Sequence, residues 1–492
     1  MSYQGEIRDG EPTGGSALVS AAQALSRLGV RIRSGALRRL GGPMGRRGGG
    51  VSPLWTFLLA ALSWITCMVR QLPCRQSLVT DPAPNTFGWM CYNDITVLYY
   101  ARGQVTGSVP FASTPWEYPV LTGYFATVAN WISALFGAVT KPGIDEQQML
   151  DNSHIYFAVT AVGLCACLMW LMASHIKIAR YNTALSVAVA LSPTIWATGL
   201  INWDILAVAL TAAGLASWME RKPTWAGLWW GLGVAAKFYP IVVIAAILVC
   251  CVRPARVRED EDQPTLGDGL MMALAAGVTW LVVNLPMMMT RMSQWAGFYT
   301  ANSVRGADLG SIWYALQLMG IGPEHPIWWS RTVLVIGYAG LAFLIYIAPR
   351  PMKPVQVAYL AVAILLAANV VYSPQYVLWV LPLVVLACPK ARDLAIFTCS
   401  ELLYFICVWL FLGGKDLSLG LSQAPWMYIF SILIRIGATV WVMSRVVRGA
   451  LVPADPADVL GGTMPRFDLR RSALSSLAGT PSVAGSVPVA AR

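Results

Sequence analysis

The sequence predicts an all-α, polytopic membrane protein of about 10–13 transmembrane helices. Three observations predict it. Only 12% of the 492 residues are charged and 57% are hydrophobic, whereas soluble domains carry roughly 25% charged residues. Apolar runs near the ~20 residues that a membrane helix needs recur along the chain. These runs are continuous, unlike the ~10-residue alternating segments of a membrane barrel. The composition excludes a soluble enzyme, a secreted disulfide scaffold and a DNA-binding domain.

Residues 1–53 carry eight Arg and three acids and no long apolar run. They read as a disordered cytoplasmic tail, too polar and long for the n-region of a signal peptide. The run Leu54 to Leu72 is then a signal anchor, with Arg46 and Arg47 holding the N-terminus inside. The next segment, about Pro73 to Tyr118, is a first outer loop. Further runs lie near 119–139, 154–174, 182–200, 203–219, 224–252, 269–290, 331–348, 355–372, 375–389, 392–412 and 427–446. The transmembrane domain is placed at 54–447. Residues 448–492, rich in Ala, Ser, Pro and Gly, read as a second disordered tail.

The net charge of 35 − 24 = +11 is a topology signal and implies no nucleic-acid partner. Lys and Arg cluster in loops at 175–180, 220–222, 253–258, 350–353, 390–392 and 445–448. Placing all of them inside satisfies the positive-inside rule from residue 153 onward if 224–252 enters and leaves on one side. That run has 29 residues and is interrupted by Lys237-Phe238-Tyr239-Pro240, so a hairpin of two short helices is expected. The segment 119–139 stays open. If it spans, the acidic loop 141–152 falls inside; if it does not, charge bias is satisfied throughout.

Charged residues within apolar runs cost roughly 2.5–3.5 kcal/mol each on insertion scales, so Lys237, Asp204, Glu401 and Arg435 each need a reason. Asp94 opens a short interfacial helix, where it is either a helix cap or a general base facing a lipid-linked substrate. Glu117, before Tyr118 and Pro119, is a cap neighbour or a contact to substrate hydroxyls. Lys237, with no acid in its own run, either binds a lipid phosphate or snorkels. Asn202-Trp203-Asp204 is a capped turn or a substrate contact. Arg305 meets a phosphate or stays solvated. Asp81, Arg102, Tyr118 and Tyr239 complete the candidate set, Tyr239 with Lys237 and Arg305 at the donor phosphate. Cys74 and Cys91 are the two Cys of the outer loop, where disulfides form, and are expected to pair. Glu401 and Arg435 reach similar depth on consecutive antiparallel runs and are expected to form a structural ion pair. No Cys or His spacing suggests a metal site, and no cofactor is expected.

Four motifs then occur in order: YNDITVLYYARG (92–103), PWEYPVLTG (115–123), LINWDILAVAL (200–210) and GLGVAAKFYP (231–240). Together they resemble the GT-C membrane glycosyltransferases, and within them glycosyltransferase family 87, over about residues 54–300. The resemblance implies an inverting transfer of a sugar from a polyprenyl-phosphate donor to a lipid or glycan acceptor, at the outer face of the cell membrane. Mannose is the sugar it implies most often; arabinofuranose occurs among relatives. It implies a carboxylate base in the first outer loop, a role that falls on Asp94. The Asp-x-Asp or Asp-Glu pair of some relatives is absent, since Asn93 is the neighbour, and no metal is expected. A lipid or solute transporter is the rival reading; it would show paired broken helices, and one clear broken run is present.

Overall fold

The computed structural model describes residues 52–75, 84–111, 116–180, 182–253, 263–420 and 424–452. Nearly all of both predicted tails, and Asp81, lie outside these residues. The described residues form helices joined by turns, with no strand.

In chain order the helices are α1 (Pro53–Arg70), α2 (Pro84–Gly88), α3 (Asp94–Ala101), α4 (Val120–Leu135), α5 (Glu146–Ile178) and α6 (Thr183–Ala190). Next come α7 (Pro193–Thr198), α8 (Asp204–Met219), α9 (Pro223–Ala236), α10 (Pro240–Val252), α11 (Leu266–Thr290) and α12 (Met292–Ser303). The last are α13 (Ile312–Leu318), α14 (Pro326–Ile347), α15 (Pro354–Ala368), α16 (Val377–Ala387), α17 (Ala391–Leu412) and α18 (Trp426–Leu451). Proline sits in the first turn of α1, α7, α9, α10, α14 and α15, where its missing N–H costs nothing and its φ is already helical. The final helix runs four residues past the predicted boundary at 447, to Leu451.

Among the described residues six helices, α1, α5, α11, α14, α17 and α18, are long and apolar enough to cross a membrane. Leu54, Leu58, Leu62, Ile65 and Val69 form an exposed apolar stripe along α1, as expected of a surface solvated by lipid. Among the shorter apolar helices, α8, α15 and α16 are mostly buried inside the bundle.

Two faces of the bundle can be told apart by their chemistry. One gathers the basic loops. Lys177 and Lys222 both pair with Glu220, Arg253 donates to the Ala348 carbonyl, and Asp393 holds Arg392 and Arg445. The other carries the segment 72–111. Here Tyr100 donates to the Met149 carbonyl, Arg75 to the His154 carbonyl, and Tyr99 stacks on Tyr156 at 4.2 Å. So α5 runs from this second face to the basic one.

The open segment 119–139 does not cross. Its helix, α4, starts beside Asp94. Asn130 of α4 then donates to the Gln104 carbonyl, and Val139 exchanges both backbone bonds with the Asn152 side chain. The segment thus begins beside Asp94 and ends at Asn152 near the start of α5, both at the second face. The broken run 224–252 is the expected hairpin: α9 starts at the basic face, Lys237 sits at the tip in extended conformation, and α10 returns. The run 182–200 is also broken, at Ser192-Pro193, into α6 and α7.

The hairpin is held close to α11 by small residues. A Cβ at Gly227 would lie 2.2 Å from the Met272 carbonyl oxygen, and one at Gly231 2.5 Å from that of Ala276. This is the four-residue glycine spacing that lets membrane helices approach backbone to backbone.

Candidate active site

The site begins with the cap of α3. Asn93, not Asp94, is the N-cap: its Oδ1 accepts from the Thr96 backbone N–H at 2.8 Å and from the Thr96 hydroxyl at 2.9 Å. The capping reading of Asp94 therefore passes to its neighbour, and the Asp94 carboxylate is left for other work. Its backbone N–H is tied to the Ile201 carbonyl at 2.6 Å. That bond brings the 92–103 motif onto the 200–210 motif.

The Tyr118 hydroxyl donates to Asp94 Oδ2. Asn202 Nδ2 donates to the same Tyr118 oxygen at 3.1 Å, and Asn202 Oδ1 accepts from the Asp204 backbone N–H at 2.9 Å. Burial raises the Asp94 pKa above the ordinary carboxylate value; the bond from Tyr118, the nearby Tyr92 hydroxyl and the Lys237 charge pull it down, and Asp204 pushes it up. Burial, then the Asp94 and Asp204 charges, push Tyr118 well above an ordinary phenol, so it is a donor at neutral pH.

Lys237, at the hairpin tip, completes the second half. Its ammonium lies 2.7 Å from Asp204 Oδ1. It also lies 4.5 Å from the centre of the Tyr118 ring, 5.4 Å from Tyr376 and 5.6 Å from Trp379, a cation-π cage. Trp379 donates its indole N–H to Asp204 Oδ2 at 2.9 Å. Asp204 is 1% exposed and has both oxygens engaged, whereas Lys237 keeps 12% of its side chain exposed. The four motifs therefore converge on one cluster in which the Tyr118 ring separates the carboxylate of Asp94 from the ammonium of Lys237.

Several expected contacts are placed differently. Tyr239, expected at the donor phosphate, is buried; its hydroxyl donates to Thr211 Oγ1 at 2.8 Å and its ring stacks on Trp379 at 4.5 Å. It packs beneath the site because it opens α10 and turns into the bundle. Asn202 and Asp204, expected as substrate contacts, are both 1% exposed and support Tyr118 and Lys237 from below. Arg102 and Glu117 pair with each other at the exposed rim. Arg305 pairs with Asp308 and its charge is felt by Tyr376. Cys74 and Cys91 are joined as a disulfide, which anchors the start of the loop bearing Asn93 and Asp94. Among the described residues no three His, Cys, Asp or Glu side chains converge as metal ligands would.

Tyr92, Trp203, Tyr376 and Trp379 join the site without having been expected there. Trp203 meets the Tyr118 ring edge-on at 5.3 Å. Tyr376 and Trp379 stack at 3.9 Å. Their signal is present as YSPQYVLW (372–379), a polar, Pro-containing break between two apolar runs, the same kind of break that marks Lys237.

The described residues thus form an all-α bundle that carries a helix-borne carboxylate and an aromatic-caged lysine at one face. Residues 151–374, a little under half of the chain, match the model of glycosyltransferase family 87, the family that the four motifs resemble. The matched span includes Asn202, Asp204, Lys237 and Tyr372 and stops short of Asp94 and Tyr118. No curated protein matches the chain. Among solved structures, ArnT from Cupriavidus metallidurans bound to undecaprenyl phosphate is similar at 13% identity and a TM-score of 0.39, covering 81% of this chain and 78% of that one.

Proposed function

We propose that the protein is an inverting transferase that moves a sugar, mannose, from a polyprenyl-phosphate donor to a hydroxyl of a lipid or glycan acceptor. The observation that carries the reading is the placement of Asp94 across the Tyr118 ring from Lys237. A hydroxyl attacks the anomeric carbon while Asp94 takes its proton, and the bond from that carbon to the phosphate oxygen breaks on the opposite side. The polyprenyl phosphate leaves with its negative charge next to the Lys237 ammonium. Its three N–H donors are not used up by Asp204, and its side chain is the more exposed of the pair.

The basic loops lie on the face opposite Asp94, which by the positive-inside rule makes the Asp94 face extracytoplasmic. The donor's isoprenoid stays in lipid and its phosphate reaches the cluster from the membrane. Arg102, Glu117 and Arg305, at the rim, are placed for acceptor and donor head groups.

The test is Asp94→Asn in purified protein, with transfer of labelled mannose from polyprenyl-phosphate mannose to membrane acceptors as readout. Asn keeps the shape and cannot take the proton, so turnover should fall roughly 10²–10⁴-fold with donor binding retained. A folded variant that transfers at the wild-type rate removes Asp94 as base. Product-free movement of substrate across the bilayer by the wild type would replace transfer by transport.

A further inference from the structure

The hydrogen bonds behind Asp94 have a direction that the backbone imposes. Asn202 faces the Asp204 backbone N–H with one end of its amide and the Tyr118 oxygen with the other. A backbone N–H can only donate, so the amide oxygen must face it and the NH₂ must face Tyr118. That NH₂ occupies a lone pair of the Tyr118 oxygen, which leaves the phenol proton to go to Asp94 Oδ2. The start of α8 thereby decides which way the Tyr118 proton points, and the carboxyl it meets is an acceptor.

We propose that Tyr118 is a positioning residue for the base, held by Asn202 as a one-way hydrogen-bond chain that keeps Asp94 ionised and its second oxygen free for the acceptor hydroxyl. This rests on the reading of Asp94 as base. A reorientable donor would let the carboxyl rotate or become the donor itself. A fixed one leaves Oδ1 as the oxygen not held by Tyr118. The same Tyr118 ring carries the Lys237 ammonium on its face at 4.5 Å, so one side chain spaces base and cation. The other charged or titratable groups that act on Asp94 or on its hydroxyl partners are Tyr92 before α3, Asp204 on α8, Lys237 between α9 and α10, Tyr376 before α16 and Glu117 before α4. None of them changes in the variants that test the chain.

Two measurements test it. The acidic limb of kcat against pH reports the ionisation of the base in the bound enzyme. The carbonyl stretch of protonated Asp94, assigned in infrared difference spectra by its loss in Asp94→Asn, reports the same proton without turnover. Tyr118→Phe removes a donor to the carboxylate, so the Asp94 pKa should rise. Both the limb and the infrared titration should move up by about one pH unit or more, with the donor KM little changed. Asn202→Asp keeps the acceptor for the Asp204 N–H and offers Tyr118 a carboxylate, drawing its proton away from Asp94; it should shift both readouts as far as Tyr118→Phe. In the Tyr118→Phe background, Asn202→Asp should add little. An infrared titration unmoved in folded Tyr118→Phe overturns the proposal, even with Asp94 as base. A full additional shift in the double variant also overturns it, because the new carboxylate would then act through space and not through Tyr118. Wild-type turnover in Asp94→Asn would instead sink the base assignment, and the infrared shift would still report whether Tyr118 holds the carboxyl.

Discussion

Replacing Glu401 by Gln takes one charge from a fully buried pair and leaves the other in place. Arg435 is 0% exposed and Glu401 2%. The Arg435 Nε and Nη2 both reach Glu401 Oε2 at 2.8 Å. Nη1 donates to the Tyr372 carbonyl at 2.5 Å and Nη2 to that of Ser373 at 3.2 Å. The guanidinium lies 3.4 Å from the centre of the Tyr372 ring and 4.1 Å from that of Tyr404, and the Tyr372 hydroxyl donates to Glu401 Oε1 at 3.1 Å. Breaking such a pair from one side costs about 3–5 kcal/mol. At about 2 °C per kcal/mol, the low end of the scale for large domains, Tm in detergent should fall by ~6–10 °C for Glu401→Gln and for Arg435→Met alike. The double variant Glu401→Leu/Arg435→Met removes both charges and should recover part of the loss. It cannot recover all of it, because the Tyr372 and Ser373 carbonyls lose their donors, at about 1–3 kcal/mol each. Those carbonyls lie three to seven residues before Tyr376 and Trp379, so transfer activity should fall with stability. Thermal unfolding of the three variants in one detergent checks the ordering. Single variants with wild-type Tm would refute the account of the pair as the anchor of this segment.

Packing and the outer loop give two further outcomes. Gly231→Val should force α9 away from α11, since even a Cβ there would lie 2.5 Å from the Ala276 carbonyl oxygen; a loss of ~2–4 kcal/mol is expected from overpacking against backbone, seen as lowered Tm together with raised donor KM because Lys237 rides on the hairpin. Gly277→Ala, where a Cβ meets nothing within 4 Å, is the control and should be neutral. Cys74→Ser should destabilise the 72–111 segment by about 3 kcal/mol in the chain-entropy model, seen as faster proteolysis between residues 75 and 91 and reproduced in the wild type by reduction; equal cleavage rates with and without reductant would contradict it.

The long membrane helices are legible because an apolar run of some twenty residues has few other uses, and the hairpin at Lys237 because a charged residue and a proline inside one such run cannot be ignored. The failure of α4 to span is not decidable from hydropathy: a mostly apolar helix of sixteen residues reads alike whether it crosses lipid or lies against a bundle. Only the basic loops favour one answer, and the contacts of Asn130 and Val139 with residues 104 and 152 supply it. Asp94 is legible as a candidate, but its rival role as cap passes to Asn93 only on geometry. Asp204, at the start of its run, reads as part of a capped turn or as a substrate contact; nothing in its own segment announces that Lys237, thirty-three residues on, turns back to meet it. Tyr376 and Trp379 escape notice for the opposite reason. No charge marks them, and aromatic residues near a run's end are ordinary interfacial anchors. Tyr239 is misplaced by sequence reasoning because adjacency to Lys237 says nothing about direction where the chain turns from one helix into the next.

The pairing of Lys237 with Asp204 raises the question of what attracts a phosphate to a neutral pair, and the short helices answer it. The helices α8, α9, α10 and α16 have 16, 14, 13 and 11 residues. At 1.5 Å per residue they extend about 24, 21, 20 and 17 Å, less than the ~30 Å of the hydrocarbon layer. They run between the basic face and the cluster, so under the proposed function the cluster sits at a depth that a lipid-linked phosphate reaches without leaving the membrane. Four of the helices that meet there begin there: α3 at Asp94, α8 at Asp204, α10 at Pro240 and α16 at Val377. A helix start carries about half a positive charge. In α3 and α8 an acidic residue sits in the first turn and offsets it. In α10 and α16 none does, and these two flank Lys237 and the Tyr376–Trp379 stack. The end of α9 at Ala236 offsets one of these two half charges, so the balance around Lys237 stays positive even with Asp204 counted, while around Asp94 it is carried by hydroxyl donors. That division supports placing the departing phosphate on the hairpin side and the proton transfer on the α3 side, with the Tyr118 ring between them.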